Sequence, residues 1–239
     1  MPLTLPPPAA APASPAPRDR DPADELTLGD LHELFGAIPA WRVVRDPPPG
    51  TATADDHAAL CAAGGVYELI AGTLLEKPVS DFSSWFDGEV FGELRAWVKP
   101  RRLGLVHPAS TYFDLPEGLK APDASFTPRD RRPGGLQRRG HSRVPPALVV
   151  EVLSPSNTAE EMELKRGIYF RAGVDLVWEV DPEARTAAVW TGPDEGNRTA
   201  LGPGDALTGD PVLPGFRLDL DDLFAAAELG AERDGPVES

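Results

Sequence analysis

The feature that most constrains the fold is an apolar run, "LVVEVL" from Leu148 to Leu153, that carries one carboxylate. Its β-branched residues favour a strand, and strand alternation places Glu151 on the same face as Val149 and Leu153. A strand needed only for stability would be better served there by Val or Ile, because burying an unpaired carboxylate is costly. The run therefore predicts a buried strand whose one acid has a specific partner or task.

A helix is predicted directly after this strand. Thr158 and Glu161 have the spacing of a capping box, which indicates a helix from about Ala159 to Ala172 that carries Lys165. Two interpretations of Glu151 and Lys165 stay open at this point. They form a buried salt bridge, where loss of one partner costs about 3–5 kcal/mol, or they belong to a chemical site.

The remaining segments indicate a sheet with helices packed on it. Apolar residues at helical spacing predict helices within 27–37, 55–62 and 81–98. Strand-like segments are a hairpin over 66–77 turning at Ala71-Gly72, then 103–107, 110–115, 123–127, 174–180 and 185–191, with a last extended segment and a short helix near the end. This order predicts an α/β (α+β) fold, a single domain with a mixed central β-sheet flanked by helices.

The composition divides the chain into four parts. Residues 1–24 form a Pro/Ala-rich tail expected to be disordered, 25–63 a helical extension, 64–229 the folded domain, and 230–239 a loose acidic tail. The start lacks a basic region followed by an apolar one, and no stretch approaches the roughly 18 apolar residues of a membrane span. We expect a soluble cytoplasmic protein without membrane contact.

The formal charge of −15 argues against indiscriminate binding to nucleic acid. One segment differs, because residues 120–143 contain seven Lys/Arg and two Asp, a local net charge of +5. Two interpretations stay open: a solvated, mobile Gly/Arg-rich loop, or an anion-binding surface. In the second case the candidates for nucleic-acid binding are Arg129, Arg131, Arg132, Arg138, Arg139 and Arg143.

Three residues in order along the chain indicate metal-assisted chemistry. Asp123 follows a proline and begins one strand, Glu151 lies in another, and Lys165 follows on the next helix. Two carboxylates on neighbouring strands can hold Mg²⁺, which prefers oxygen ligands. Such an ion acidifies water and neutralises a phosphate under attack, and a nearby lysine would stabilise the oxyanion. The spacing alone is weakly specific, because acids at strand ends are common.

Several longer motifs together resemble a known family. They are "YELIAGTLLEKPVS", "APDASF", "ALVVEVLSPSN", "EMELKRGIYFRAGVDLVWEVDPEARTAAVW" and "LPGFRLDLDDLF", covering about Val66 to Phe224. The chain resembles the Uma-type restriction endonucleases, a bacterial family of the PD-(D/E)XK nuclease superfamily. The resemblance implies a restriction-endonuclease-like core, a Mg²⁺ or Mn²⁺ site, DNA as substrate and a homodimer.

The resemblance also implies residue roles. Asp123 resembles the family's aspartate after proline and Glu151 its strand acid, both metal ligands, and the backbone carbonyl of Val152 would join them. The superfamily's usual lysine position is Leu153 here, and Lys165 on the following helix matches the lysine that takes over in this family.

Glu68, in "YELI", matches an early family acid. It completes the catalytic set with Asp123, Glu151 and Lys165, or it caps or pairs within the hairpin. The sequence departs from the family where a histidine is common early in the long helix, since Ser83, Ser84 or Trp85 stands there. Glu161 also replaces a usual aspartate. These departures affect expected substrate contacts.

Three functions are consistent with these observations. The first is a Mg²⁺-dependent DNA endonuclease with Asp123 and Glu151 on the metal and Lys165 assisting water attack. The second is a catalytically inactive binding or scaffold protein that keeps the nuclease fold. The third is a metal-dependent hydrolase of another phosphoester.

Overall fold

The computed structural model describes residues 25–136 and 138–227. The predicted tails over 1–24 and 230–239 lie outside these residues. The boundary between a helical extension at 25–63 and a core at 64–229 remains a prediction. Within the described ranges, no helix combines the length and apolar character needed to cross a membrane.

Five α-helices are present in the described residues. They are α1 Leu28–Phe35, α2 Ala54–Ala62, α3 Asp81–Arg101, α4 Ala159–Arg171 and α5 Leu220–Ala226. The hydroxyls of Thr27, Thr53, Ser80 and Thr158 cap the first four by accepting a backbone N–H of the first turn. The predicted cap of α4 at Thr158 is therefore confirmed, but the capping box is not completed because the Glu161 carboxylate accepts from Arg42 instead.

Twelve strands form one central sheet and three short hairpin-like pairs. They are β1 Tyr67–Ile70, β2 Thr73–Glu76, β3 Gly104–Pro108, β4 Phe113–Leu115, β5 Gly118–Lys120, β6 Ala124–Pro128, β7 Leu148–Val152, β8 Leu176–Asp181, β9 Thr186–Trp190, β10 Arg198–Leu201, β11 Ala206–Thr208 and β12 Arg217–Asp219. The central order is β10-β9-β8-β7-β6-β3. Only β7 and β8 pair in parallel among these neighbours. The predicted mixed sheet is confirmed.

The two faces of the central sheet carry different helices. Leu148, Val150 and Val152 belong to a core shared with α3 and α5. Val149 belongs to a second core with α1 and α4, and Glu151 meets α4 on that same face. The alternation read from "LVVEVL" is thereby confirmed, and it directs the one acid of β7 toward the helix that follows it.

Several differences concern short strands. The segment 110–115 pairs only over Phe113–Leu115, and its partner β5 is a strand that the sequence did not indicate. β5 has three residues, too few to show an alternating pattern, and it follows Glu117, which adopts a positive φ of 69° in the turn. β10 is likewise unpredicted, because its residues are mostly exposed and carry no apolar alternation. β11 is also unpredicted, since its three residues are too few to show a pattern.

Candidate active site

The pairing of β6 with β7 creates the site. The strands are antiparallel with Ala124 opposite Val150, so Asp123 at the start of β6 lies beside Glu151 near the end of β7. The Asp123 carboxylate accepts the Val152 N–H at 2.6 Å, which fixes its orientation across the strand pair. Two acids separated along the chain thus meet at one end of the sheet.

A cavity of about 240 Å³ opens at this end of the sheet. Every residue predicted for catalysis or metal binding lines it: Glu68, Asp123, Glu151, Val152 and Lys165. Glu68 reaches it from β1, and Lys165 from the second turn of α4. The structure therefore brings together the whole predicted catalytic set, although closeness alone does not assign roles.

Lys165 lies between two carboxylates. Its Nζ is 2.7 Å from Glu151 Oε2 and 3.0 Å from Glu68 Oε2, with all three side chains buried. The Tyr169 hydroxyl donates to the other Glu151 oxygen, Oε1. The two interpretations of Glu151 and Lys165 are thus not exclusive, because a buried salt bridge forms part of the cavity wall.

Two further groups in the cavity were not identified from the sequence. Lys77 follows β2 and places its Nζ 2.6 Å from Asp123 Oδ1 and 2.6 Å from the Ala121 carbonyl oxygen. Asp87, on α3, has a buried Oδ1 for which the described residues provide no hydrogen-bond partner. Asp87 follows Ser83 and Ser84 by one helical turn, which is the signal that could have drawn attention to it.

Burial and crowding shift the pKa values of two cavity acids upward. Burial, followed by the nearby Asp123 charge, raises the pKa of Asp87 to about 8. Burial likewise raises the pKa of Glu151 to about 7, although Lys165 opposes the shift and Asp123 and Glu68 reinforce it. Both carboxyls are therefore poised to ionise near neutral pH, where a cation would favour the charged forms.

Glu68 shows the opposite behaviour because it has more cationic neighbours. Burial opposes ionisation, but Lys165, Lys77 and Lys120 together with the Ala121 N–H hold the pKa of Glu68 at about 2. For Lys165, burial is outweighed by Glu151 and Glu68, so its pKa lies above the ordinary value. Lys165 is therefore a fixed positive charge at neutral pH.

A second buried ion pair closes the rim of the cavity. Arg42 donates from both terminal nitrogens to Glu161, each at 2.8 Å, and also to the Ser156 carbonyl oxygen. Asn157 donates to Glu161 at 3.1 Å. Glu161, a departure from the family pattern, thus anchors Arg42 from the segment before α2, a contact that no local sequence pattern indicates.

The donor set fits a hard divalent cation with few protein ligands. The cavity lining holds five carboxylates and three basic side chains, a formal charge of −2 when all are ionised. Within the described residues, no group of three or more His, Cys, Asp or Glu side chains is arranged to hold a metal ion. Mg²⁺ commonly uses one or two carboxylates and keeps several waters, and the unpartnered Asp87 Oδ1 beside Asp123 suits that mode.

The predicted arginine loop lies elsewhere. None of the six arginines, all within the described residues, lines the cavity. The loop follows the far end of the five-residue strand β6, about 17 Å from Asp123 at roughly 3.3 Å per residue. Arg131 pairs with Asp175 at 2.5 Å, and Arg143 lies 3.4 Å from Asp114. The strand itself separates the loop from the cavity.

Comparisons with known proteins identify the fold and the family. A crystal structure described as that of "a putative nuclease belonging to DUF820", from Anabaena variabilis ATCC 29413 at 1.96 Å resolution, superposes with a TM-score of 0.60. The match covers 68% of this chain and 92% of that chain at 20% sequence identity, so it supports the fold. No curated protein matches the chain.

A family model described as "Uma2: Putative restriction endonuclease" matches residues 54–221. The matched range includes α2 and every cavity acid described above. It covers well over half of the 239 residues. The resemblance carried by the sequence motifs is confirmed: the chain belongs to the Uma2 family of nuclease-fold proteins.

Proposed function

We propose that the protein is a divalent-metal-dependent endonuclease that hydrolyses DNA phosphodiester bonds at the cavity between β6, β7 and α4. The observation that carries the proposal is the excess of buried carboxylate in that cavity, a formal −2 that a divalent cation would neutralise. Acids in a cleft whose pKa values rise toward neutrality are common at functional sites, which supports this proposal.

Asp123 and Asp87 would hold the metal ion, with Glu151 and the Val152 carbonyl as the neighbouring oxygen donors. When bound, Mg²⁺ or Mn²⁺ would neutralise charge on the scissile phosphate and acidify an attacking water. Asp123 is oriented by the Val152 N–H at Oδ2, and the metal ion would displace Lys77 from Oδ1.

The lysines supply fixed positive charge. Lys165 stays protonated because its pKa is raised by Glu151 and Glu68, so it acts as an electrostatic group and not as a base. Lys77 also lines the cavity, and its pKa is raised because Asp123, Glu151 and Glu68 together outweigh its burial. Both ammonium groups would stabilise the extra charge on phosphate oxygens as water attacks.

Glu151 and Glu68 position the lysine. Each accepts from the same Nζ, so the ammonium is held on the β7 side of the cavity. The pKa of Glu151 is about 7, so a cation bound beside it would favour its ionised form at neutral pH. Glu68 stays ionised and preserves the charge of Lys165.

We further propose that DNA is bound by a homodimer acting in the cytoplasm, with the arginines of residues 129–143 contacting phosphates outside the cavity. The family membership supports a nucleic-acid substrate. Light scattering of the purified chain tests the dimer independently of cleavage.

The test of the nuclease activity is cleavage of plasmid, linear duplex and single-stranded DNA with Mg²⁺, Mn²⁺ or a chelator. Wild type should cut only with metal, and Asp123→Ala should not cut. Glu117→Gln, which removes an exposed carboxylate paired with Arg171, is the matched control and should keep activity. Cleavage unaffected by Asp123→Ala would refute the site assignment.

A scaffold function is the second candidate, favoured by one observation. Both carboxylate oxygens of Glu68, Asp123 and Glu151 already have protein partners. If this network served stability alone, Glu151→Gln would lower the melting temperature markedly. A metal site predicts little change or a gain, because relief of carboxylate repulsion offsets the lost pair.

A further inference from the structure

A basic groove runs along the open edge of the central sheet. It has a volume of about 730 Å³ and follows β3, the edge strand, which pairs only with β6. Its cationic lining is Arg95, Lys99 and Arg102 from α3 and its C-cap on one side, and Arg129 and Arg132 after β6 on the other. No Asp or Glu is among its lining residues, all of which are described. We name this feature the β3 groove.

The cations of the β3 groove are free of carboxylates. Among the described residues, none of the five has an acidic group within ion-pair distance, whereas Arg131 and Arg143 of the same loop do. Arg132 donates only to neutral acceptors, the Gly135 carbonyl oxygen and the Ser142 hydroxyl. The uncompensated charge is notable in a chain of net charge −15.

A local explanation accounts for only part of this charge. Lys99 and Arg102 lie at the C-terminal end of α3, where cations complement the helix dipole. Arg129 and Arg132 have no such reason to face the groove, since they enter it from a loop on the other side of the strand. Two unrelated elements therefore direct positive charge at the same surface.

The β3 groove and the catalytic cavity are lined by neighbouring residues of one segment. Pro108 and Thr111 line the groove, and the two residues between them, Ala109 and Ser110, line the cavity. In the antiparallel pairing, Pro108 lies opposite Ala124, next to Asp123, and Gly104 lies opposite Pro128 at the far end. A strand lying in the groove would thus reach the cavity at the Pro108 end.

We propose that the β3 groove binds the sugar-phosphate backbone of a nucleic-acid strand whose scissile phosphate enters the catalytic cavity. The inference rests on the proposed function for the identity of the scissile group, but the groove's binding of a polyanion is separately measurable. The acidic remainder of the surface repels phosphates and confines their approach to this groove. A strand bound in the β3 groove would contact Arg129 and Arg132 of the predicted loop while its scissile phosphate lies in the cavity.

The competing explanation is that these cations protect an open sheet edge from pairing with another chain. Natural sheets place charged residues at edges for that reason. A protective role requires no affinity for phosphate, so binding measurements separate the two. The salt dependence of binding reports how many phosphate contacts are made.

The experiment measures anisotropy of a fluorescent DNA duplex and of a fluorescent single strand, in chelator so that no cleavage occurs, across roughly 50 to 200 mM salt. The test variant is Lys99→Gln/Arg129→Gln, with one change on each side of the groove. The matched control is Arg171→Gln/Arg217→Gln, which removes the same charge from exposed pairs elsewhere. Circular dichroism establishes that both variants are folded.

For duplex, losing two phosphate contacts should lower the slope of log affinity against log salt by about 1.8 and weaken binding about 60-fold near 0.1 M salt. The control should leave the slope nearly unchanged and should alter the affinity by no more than a few-fold. Equal binding by the two double variants would contradict DNA binding by the β3 groove. Cleavage by wild type would then still support the nuclease proposal. Groove-dependent binding without any metal-dependent cleavage supports the groove and contradicts the nuclease proposal. Failure of wild type to bind either DNA overturns the groove.

Discussion

Glu151 and Glu179 are buried glutamates within apolar strand sequences, but their three-dimensional environments differ. Glu151 of β7 and Glu179 of β8 are register partners in the parallel pair. Consecutive residues of α4 serve them, because Lys165 pairs with Glu151 at 2.7 Å and Arg166 pairs with Glu179 at 2.8 Å. One helix turn thus neutralises two acids of one sheet face.

The two pairs differ in what else is nearby. Glu179 also accepts the Trp190 indole N–H at 3.0 Å, and the Arg166 guanidinium stacks on that ring at 3.8 Å, so each Glu179 oxygen has one protein partner. Glu151 instead shares Lys165 with Glu68 and lies in the cavity that contains Asp123. Its pKa rises to about 7 chiefly through burial. Glu151 differs from Glu179 in having two further buried acids, Glu68 and Asp123, beside it.

The largest expected effect is on catalysis. Asp123→Ala should lower metal-dependent DNA cleavage by about a thousandfold, since it removes a ligand worth several kcal/mol of charge stabilisation. Rates from plasmid nicking under single turnover measure the effect, with Glu117→Gln as control. A rate within tenfold of wild type would mean that the metal binds elsewhere. Glu151 would then no longer differ from Glu179 by lying in a metal site.

The second effect concerns stability and compares the two glutamates directly. Glu179→Gln should lower the free energy of unfolding by about 3–5 kcal/mol, because it leaves the buried Arg166 charge unpaired. Glu151→Gln should change it by less than about 1 kcal/mol, since Lys165 keeps Glu68 and a crowded acid is removed. Urea unfolding of both variants measures this. Equal losses would make the Glu151 pair structural.

The third prediction concerns pH. The pKa of Glu151 in the folded protein, about 7, lies above its ordinary value of 4.5, so the folded state holds an extra proton between these pH values. The protonated Glu151 carboxyl therefore contributes to the free energy of unfolding at low pH, and this contribution is lost as the pH rises toward 7. Metal binding requires the ionised form, so metal affinity should fall about tenfold per pH unit below 7 for each proton displaced.

Melting curves with and without Mg²⁺ at several pH values measure this coupling. The metal-induced rise in Tm should grow from acid to neutral pH in wild type. A rise in Tm that is independent of pH would mean that the cation binds outside the cavity.

The smallest effect concerns Asp87. Its pKa of about 8 in the fold lies above the ordinary 3.8, so its ionisation disfavours the folded state increasingly as pH rises toward 8. Asp87→Asn should therefore raise Tm by a few degrees without metal, more at alkaline than at acid pH. It should also weaken Mn²⁺ binding about tenfold through loss of one ligand. A lower Tm at alkaline pH would contradict this assignment.

Local patterns predicted much of this structure. Alternation in "LVVEVL" predicted that Glu151 faces the same side of the sheet as α4, and the capping pattern predicted Thr158 at the start of that helix. The family motifs identified Asp123, Glu68 and Lys165, which line one cavity. These features depend on residues close in sequence or on motifs with a fixed spacing. They are therefore visible in a single chain.

Other parts of the site depend on contacts that the sequence does not encode locally. Arg42 reaches Glu161 across 119 positions, and Lys77, directly after β2, meets Asp123, directly before β6, from a distant part of the chain. Asp87 lies on a helix whose amphipathic pattern does not distinguish a cavity-facing acid from a solvated one. The sequence did not show how far the arginine loop lies from the cavity. That distance is set by β6, which runs from Asp123 at the cavity to the loop at its other end.

Calorimetric titration of Mn²⁺ into the protein tests the central claim most directly, because it asks whether the surplus acids form a cation site before any substrate is present. We predict binding to wild type and Glu117→Gln, with loss of the signal in Asp123→Ala. Binding of equal strength to Asp123→Ala, or no binding to wild type at neutral pH, would contradict the account.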